Sequence, residues 1–215
     1  MATRELSDLQ FIKVLERYQK SYFTVADLQK ILSITGRSIY VTISRLIKSG
    51  ALVKLNRGIF QVESQTNQVE QTANQLYYPS YISFESALAI HGILSQQPFE
   101  ISLATTQRSK HLILGDQSVV YHQVKPVYFF GFTLKSGRYI AEPEKALLDQ
   151  LYLISRGQAI NETNEWSLIG MDKEKLLSYA AIFPQSVQTK LPELLKNWNT
   201  YAITNQDHDR IEATI

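Results

Sequence analysis

The sequence predicts an α+β protein of two domains, and three observations support this. The 215 residues suffice for two small domains, and 44% hydrophobic with 20% charged residues is typical of a folded globular chain rather than a disordered one. Helical spacing of apolar residues dominates the N-terminal part, whereas β-branched and aromatic runs dominate the middle. A polar stretch, ESQTNQVEQTANQ, lies between them. We therefore expect domains at residues 1–62 and 76–215 and a linker, extended or a solvated helix, at 63–75.

Composition also limits the classes of function. The chain contains no cysteine, which removes disulfides, thiolate nucleophiles and cysteine-ligated zinc. It contains no run of about 18 apolar residues that could span a bilayer, and its first residues lack the apolar segment of a secretory signal. We expect a cytoplasmic protein that does not bind a membrane.

The first domain is expected to begin with two capped helices. Ser7 and Gln10 form a capping-box pattern for helix 1. The face of helix 1 toward the core is expected to carry Leu9, Ile12 and Leu15. Helix 2 has Thr24 as N-cap and Asp27 three residues later, and it should end near Leu32. Phe23 and Leu28 stand in the positions of a hydrophobic staple.

Helix 3 is predicted to begin after Thr35 as N-cap and to end before Gly50, which suits a left-handed C-terminal residue. At 100° per residue its apolar side chains cluster on one face: Ile39, Ile43, Leu46 and Ile47. The runs LVKL and GIFQV follow as two short strands joined through Asn56, Arg57 and Gly58, a turn chemistry typical of tight hairpins. Three helices followed by a hairpin are the winged helix-turn-helix pattern.

Charge is divided unevenly along the chain. Residues 1–62 carry ten Lys or Arg and four Asp or Glu, a net charge of +6, and the remaining residues have a net charge of −4. Residues 35–60 hold five cations and no acid. Phosphates give a DNA-binding protein its affinity, and an acid on the binding surface would be repelled by them. The distribution therefore predicts that the first domain meets double-stranded DNA.

The predicted DNA-binding residues lie on the outer face of helix 3 and on the hairpin: Arg37, Ser38, Tyr40, Val41, Ser44, Arg45, Lys48, Lys54 and Arg57. Arginine can donate two hydrogen bonds to guanine, and an aliphatic side chain can contact the methyl group of thymine. We assign the first role to Arg37 and Arg45 and the second to Val41. Arg57, at the hairpin tip, is expected to contact phosphate or the minor groove. Two simpler interpretations remain, a solvated helix face and a protein-binding module.

The second domain is expected to be mixed, with a mostly antiparallel sheet and flanking helices. A helix capped by Ser83 should end at His91 and Gly92. The runs FEISLAT, SVVYHQV, VYFFGFTL and GRYIA predict strands. A helix with Pro143 in its first turn is expected to bury Leu147, Leu148, Leu151 and Ile154. DKEKLLSYAAIF and LPELLKNW predict further helices, and a loose tail begins at Asn199.

The sequence shows no catalytic residue, metal site or cofactor motif. Glu142 and Glu144 are best explained as acids at a helix start, and Lys145 with Asp149 as an exposed ion pair at i and i+4. His91 is expected to be a C-cap or packing residue. The other histidines have no ligand spacing: His111, His122 and His208. No phosphate-binding loop or serine elbow is present. We therefore predict a protein that is not an enzyme.

Three parts of the sequence carry a resemblance to a known family. The winged-helix pattern ending in GALVKLNRGIFQV, the segment SYISFESALAIHGIL and above all YIAEPEKALLDQLYL resemble the AbiEi antitoxins of type IV toxin-antitoxin systems. The resemblance covers roughly Phe23 to Leu153. It implies a repressor of its own operon that binds repeated operator sites. It also implies that the second domain counters a nucleotidyltransferase-like toxin, without requiring a stable complex between the two.

Two other hypotheses remain open on the sequence. One is a winged-helix repressor that senses a ligand or a partner and has no toxin. The other is a nuclease or another enzyme that a winged helix positions on DNA. A neighbouring nucleotidyltransferase gene, saturable ligand binding by the second domain, and metal-dependent cleavage would distinguish the three.

Overall fold

The structure, a computed structural model, describes residues 8–160 and 166–196. The chain divides into two compact units, Met1–Leu76 with His111–Val119 and Tyr77–Lys110 with Val120–Ile215. Helices accompany two sheets, one of three strands and one of six. The predicted α+β class is confirmed. No helix within the described ranges has the length and apolar character needed to cross a bilayer.

The first unit contains the predicted order of three helices followed by a hairpin. Its elements are α1 (Asp8–Glu16), β1 (Phe23–Thr24), α2 (Val25–Leu32), α3 (Ser38–Lys48), β2 (Leu52–Asn56) and β3 (Ile59–Val62). The strand β1 was not predicted, and it pairs antiparallel with β3 through Phe23 and Phe60. The sheet order is β1-β3-β2, so β2 is an edge strand.

The core of the first unit lies between the three helices and the hairpin. Its buried members include Phe11, Leu15, Phe23, Leu28, Ile39, Ile43, Leu46, Leu52, Phe60 and Val62. The prediction for Leu9 was wrong, because this side chain is 61% exposed. Leu15 is buried as predicted and Ile12 packs against the core, but Phe11 takes the place expected for Leu9. Ser7 lies outside the described residues.

The helix starts differ in how well the sequence predicts them. In α2 the capping box is confirmed: the Thr24 hydroxyl accepts from the Asp27 backbone N–H at 3.1 Å, and the Thr24 N–H donates to the Asp27 carboxylate at 2.8 Å. In α3 the prediction of Thr35 as N-cap was wrong. The N-cap is Arg37, with no side-chain bond, because Gly36 at φ +68 turns the chain and Ser38 Oγ donates to the Thr35 carbonyl.

The stretch predicted as a solvated linker is helical and packs on the first unit. Residues Glu63–Gln68 form a 3-10 helix and Val69–Leu76 form α4. In α4, Thr72 Oγ1 donates to the Ser21 carbonyl at 3.1 Å, and Ser21 Oγ donates to Gln75 at 2.9 Å. Polar side chains can be buried when they are hydrogen-bonded to one another, so polar composition does not by itself place a segment in solvent.

The larger sheet has six strands, in the order β6-β7-β5-β4-β9-β8. Its strands are β4 (Ser80–Ile82), β5 (Glu100–Thr105), β6 (Lys110–Leu114), β7 (Gln117–Gln123), β8 (Phe132–Lys135) and β9 (Arg138–Ala141). The segment His111–Val119, with most of β6 and the start of β7, is assigned to the first unit, and the rest of the sheet belongs to the second. Antiparallel pairs join β4 to β5 and β8 to β9, and a parallel pair joins β4 to β9. The strand β6 was not predicted. The start of VYFFGFTL was assigned wrongly, because Pro126–Tyr128 is a 3-10 turn and Gly131 has a positive φ of +68.

Most helices of the second unit were predicted, but the short helix at Gln185–Gln188 was not. The helices are α5 (Phe84–Ile90), α6 (Pro143–Ser155), α7 (Lys173–Ala180) and α8 (Gln185–Gln188), and residues 191–196 are also helical. The four apolar residues predicted for α6 are buried: Leu147, Leu148, Leu151 and Ile154. Burial in α6 nevertheless extends round the whole helix from Glu144 to Ile154. The predicted tail from Asn199 lies outside the described residues.

Candidate functional sites

The outer face of α3 presents the predicted cationic surface. Ile39, Ile43 and Leu46 are buried, which turns the intervening side chains of α3 outward. All nine residues predicted to contact DNA are exposed: Arg37, Ser38, Tyr40, Val41, Ser44, Arg45, Lys48, Lys54 and Arg57. Two of these exposures are unusual, because Val41 is 71% exposed and Tyr40 60%. An aliphatic and an aromatic side chain thus lie in solvent beside the cations of one helix.

Arg45 differs from the other cations because it is engaged within the unit. Its guanidinium lies 3.6 Å from Asp8 Oδ1 of α1, and its Cζ lies 5.3 Å from the centre of the Phe11 ring. Asp8 thus lies close to residues 35–60, a stretch that contains no acid of its own. Among the described residues, no acid forms an ion pair with Arg37, Lys48, Lys54 or Arg57. These four cations are therefore better available to a polyanion than Arg45 is.

The hairpin tip is fixed on two sides. Within it, Arg57 N–H donates to Asn56 Oδ1 at 2.6 Å, and Gly58 takes a positive φ of +73. Outside it, the turn between β6 and β7, which belongs to the same unit, binds the edge of β2. Asn56 Nδ2 donates to the Ile113 carbonyl at 2.7 Å, and Gly115 N–H donates to the Leu55 carbonyl at 2.8 Å. The predicted hairpin is present, and these bonds connect its tip to the β6–β7 turn.

A second group of charges lies inside the second unit, on α6. Lys145 and Asp149 form an ion pair and both side chains are completely buried. Lys145 Nζ also donates to Tyr81 Oη at 2.8 Å. Tyr81 Oη donates to Asp149 Oδ2 at 2.9 Å, and Ser83 Oγ donates to the same oxygen at 2.7 Å. The prediction of an exposed ion pair was wrong, because α6 is covered on the side that carries these two residues.

The surroundings of Lys145 explain how a cation is accommodated there. Its Nζ lies 5.2 Å from the ring centres of Tyr81, Phe130 and Phe183, so three aromatic faces complete its environment. Burial lowers the pKa of Lys145, although the charge of Asp149 opposes this shift. Burial and the neighbouring Asp149 raise the pKa of Tyr81 well above its ordinary value. With no solvent access, this cluster supports the fold and does not present a site to a ligand.

The acids at the start of α6 bind α7 rather than capping α6. Glu142 is the N-cap residue, but its side chain makes no cap bond. Tyr179 Oη donates to Glu142 Oε2 at 2.7 Å, and Lys175 Nζ lies 3.2 Å from the same oxygen. Burial raises the pKa of Glu142, but the bonds from Tyr179 and Lys175 outweigh it and lower that pKa overall. Glu144 Oε1 accepts from the Asp172 N–H at 2.9 Å. The predicted position at the helix start is therefore confirmed for both acids, but no side-chain bond from Glu142 caps α6.

The histidines occupy separate positions. His91 is the C-cap residue of α5, and its Nε2 lies 2.7 Å from the Ala141 carbonyl oxygen, in agreement with the predicted cap or packing role. His111 Nε2 lies 2.8 Å from Ser118 Oγ. His122 packs edge-on against Phe84. His208 lies outside the described residues. Within the described ranges, no group of three or more His, Asp or Glu is placed to hold a metal ion.

Comparison with known proteins shows similarity in fold. Neither a protein-family model nor a curated protein matches the sequence. Among solved structures, the RV2827C protein from Mycobacterium tuberculosis is similar, with a TM-score of 0.58 and 17% sequence identity. The similarity covers 91% of this chain and 78% of that one. The two proteins therefore have a similar fold, although few of their residues are identical.

Proposed function

We propose that the protein is a DNA-binding transcriptional regulator, in which α1 to α3 and the β2–β3 hairpin act as a winged helix-turn-helix. The observation that carries the proposal is the outer face of α3, where exposed cations flank small polar and aliphatic side chains. A helix that enters the major groove needs this combination, since cations bind phosphate while short polar and methyl-bearing side chains reach base edges. The hairpin adds Lys54 and Arg57 as a second group of exposed cations.

The roles of individual residues follow from their surroundings. Arg37 and Lys48 lie at opposite ends of α3, and its 11 residues span about 16 Å at 1.5 Å per residue. Arg37, at the N-terminal end, is our first choice for reading a guanine, because the N-terminal residues of a recognition helix approach the bases. Lys48 is assigned to phosphate. Arg45 is assigned a smaller role than the sequence indicated, because Asp8 and Phe11 compete for its guanidinium.

We also propose that the regulator is the antitoxin of a type IV pair, acting in the cytoplasm without a cofactor or a catalytic residue. This part rests on the resemblance to AbiEi antitoxins, whose most specific segments here are SALAIHG and AEPEKALLDQLYL. Both segments contribute to buried structure: Lys145 and Asp149 come from the second, and α5 from the first. The residues that carry the resemblance thus belong to the scaffold of the second unit. The toxin of the pair would be a nucleotidyltransferase-like protein encoded alongside.

The DNA-binding proposal is tested by fluorescence anisotropy with a duplex from upstream of the protein's own gene. Arg37→Ala and Lys48→Ala are each expected to weaken binding by about 1 to 3 kcal/mol. Arg37→Ala should also relax the preference for one base pair, whereas Lys48→Ala should weaken all duplexes equally and reduce the salt slope by about one. Lys190→Ala, in the second unit, is the matched control and should bind normally.

Two results would contradict the proposal. One is a set of affinities that do not change with salt between about 50 and 200 mM, because phosphate contacts release counterions. The other is equal binding by wild type, Arg37→Ala and Lys48→Ala. The antitoxin part is tested separately by co-expression with a neighbouring nucleotidyltransferase. If this protein does not relieve the growth arrest, the antitoxin role is contradicted and a repressor without a toxin is favoured. Metal-dependent cleavage of DNA by the protein would favour the nuclease hypothesis.

A further inference from the structure

The second unit contains a cavity of about 460 Å³ beside α5 and α6. This volume is within the range of small-molecule binding sites. One part of its wall is apolar and is formed by Phe84, Leu94, Leu153 and Trp166. Phe99 also lines the cavity and is 99% exposed, which places its ring at the mouth. The cavity therefore offers an apolar wall beside polar side chains, with an aromatic ring at the opening.

The polar groups of the cavity are acidic or neutral. They include Glu85, Glu100, His122 and Gln150, and no described lining residue is Lys or Arg. Gln150 is 2% exposed, and its Nε2 donates to Glu85 Oε1 at 3.1 Å. A buried amide thus holds one carboxylate in position, although Glu85 itself lies on an exposed part of α5. A fixed carboxylate gives up less side-chain entropy when a ligand binds than a mobile one.

His122 adds an acceptor rather than a charge. Burial lowers the pKa of His122, although Glu100 opposes the shift, so the imidazole is neutral at pH 7. The charged groups facing the cavity among the described residues are therefore Glu85 and Glu100. The ring of His122 lies edge-on to Phe84, with centres 4.9 Å apart. Phe84 has a positive φ of +56, a conformation that is strained for a bulky residue and that is often found at binding sites.

We propose that this cavity binds a small organic cation, such as an amidinium, guanidinium or ammonium group on an apolar body. The carboxylates of Glu85 and Glu100 would pair with the positive group, and the rings of Phe84, Phe99 and Trp166 would contact the body. Aromatic faces attract cations, and this attraction is strengthened where water is excluded. An anionic ligand would meet two carboxylates and no opposite charge. The inference is independent of DNA binding, because all of these residues belong to the second unit.

The test uses three probes of nearly the same shape with the full-length protein. Benzamidine is a cation at pH 7, benzamide is neutral and benzoate is an anion. Isothermal titration calorimetry is expected to show saturable binding of benzamidine that is at least about tenfold tighter than that of the other two. In 15N-resolved spectra the indole N–H of Trp166 should shift with benzamidine. Comparison with Trp198→Phe assigns the signal, because the chain has two tryptophans.

Substitutions in the cavity test whether benzamidine binds there. Glu85→Gln and Glu100→Gln preserve side-chain shape and are each expected to weaken benzamidine binding about tenfold. Glu174→Gln, an exposed acid on α7, is the matched control and should bind as wild type does. Equal binding of benzamidine and benzamide would overturn the proposal. So would normal binding by both cavity variants, an unshifted Trp166 signal, or no saturation below about 10 mM.

Discussion

Helix α3 with its N-cap carries several basic side chains and α6 carries one, but these charges lie in opposite environments. On α3, Arg37 and Lys48 are exposed and have no acidic partner among the described residues. On α6, Lys145 is fully buried between Asp149 and three aromatic rings, one of which is Tyr81. The comparison teaches that the presence of a cation on a helix does not indicate a binding surface. What indicates one is a cation that the rest of the chain leaves without a partner.

The largest expected effect is at Lys145. Lys145→Met leaves Asp149 as a buried, unpaired charge and is expected to lower the free energy of unfolding by roughly 3 to 5 kcal/mol. The double variant Lys145→Met with Asp149→Leu should be less destabilised than Lys145→Met, because no buried charge is left alone. Urea denaturation measures both, with Lys173→Met as the exposed control. A loss below about 1 kcal/mol for Lys145→Met would mean that the two helices do not differ as described.

A smaller loss is expected from the glycine that packs against Lys145. Gly131 has φ +68, and an added Cβ would lie 3.1 Å from Lys145 Cβ and from a ring carbon of Tyr179. Gly157 has almost the same φ, +67, but an added Cβ would meet nothing within 4 Å. Both alanine variants pay for the left-handed backbone, about 1 kcal/mol. Gly131→Ala should be about 1 kcal/mol less stable than Gly157→Ala, and equal melting curves would argue against close packing here.

The capping box of α2 gives a prediction that depends on pH. Burial raises the pKa of Asp27, but bonds from Lys20 and Thr24 outweigh it and hold the pKa below 3.8. Asp27 therefore stabilises the fold above that value, and the contribution is lost as the pH falls through the lower, folded pKa. Asp27→Asn should cost about 1 kcal/mol at pH 7, and the difference from wild type should shrink below about pH 4.

Denaturation between about pH 3 and 7 measures this difference directly. Asp116→Asn changes an exposed acid in the β6–β7 turn and serves as the control. A difference between wild type and Asp27→Asn that grows as the pH falls would contradict the assigned direction of the shift.

The smallest expected effect is at the Arg45–Asp8 pair on the surface of the first unit. These side chains remain 43% and 32% exposed, and the closest atoms are 3.6 Å apart. A double-mutant cycle with Arg45→Gln and Asp8→Asn is expected to give a coupling below about 1 kcal/mol that fades in about 1 M salt. The same cycle at Lys145 and Asp149 gives the coupling energy of a buried pair. If the two coupling energies were equal, exposed and buried ion pairs would not differ in this protein.

The sequence predicted those features that depend on neighbours along the chain. Thr24 and Asp27 are three residues apart, so their capping box could be recognised, and the periodicity of Ile39, Ile43 and Leu46 oriented α3 correctly. What it missed depends on distant contacts. Asp8 reaches Arg45 across 37 residues, and Asn56 binds Ile113 across 57. For Lys145 and Asp149 the spacing was recognised, but only the elements packed on every side of α6 determine that the pair is buried.

The contact between the β6–β7 turn and the hairpin has a consequence for solubility. As an edge strand, β2 presents backbone groups that could pair with a strand of another molecule, which is a common start of aggregation. The Gly115 N–H donates to the Leu55 carbonyl, and the side-chain amide of Asn56 donates to the Ile113 carbonyl. The turn thus covers a backbone carbonyl of this edge, and we expect it to hinder pairing of the cationic hairpin with a strand of another molecule.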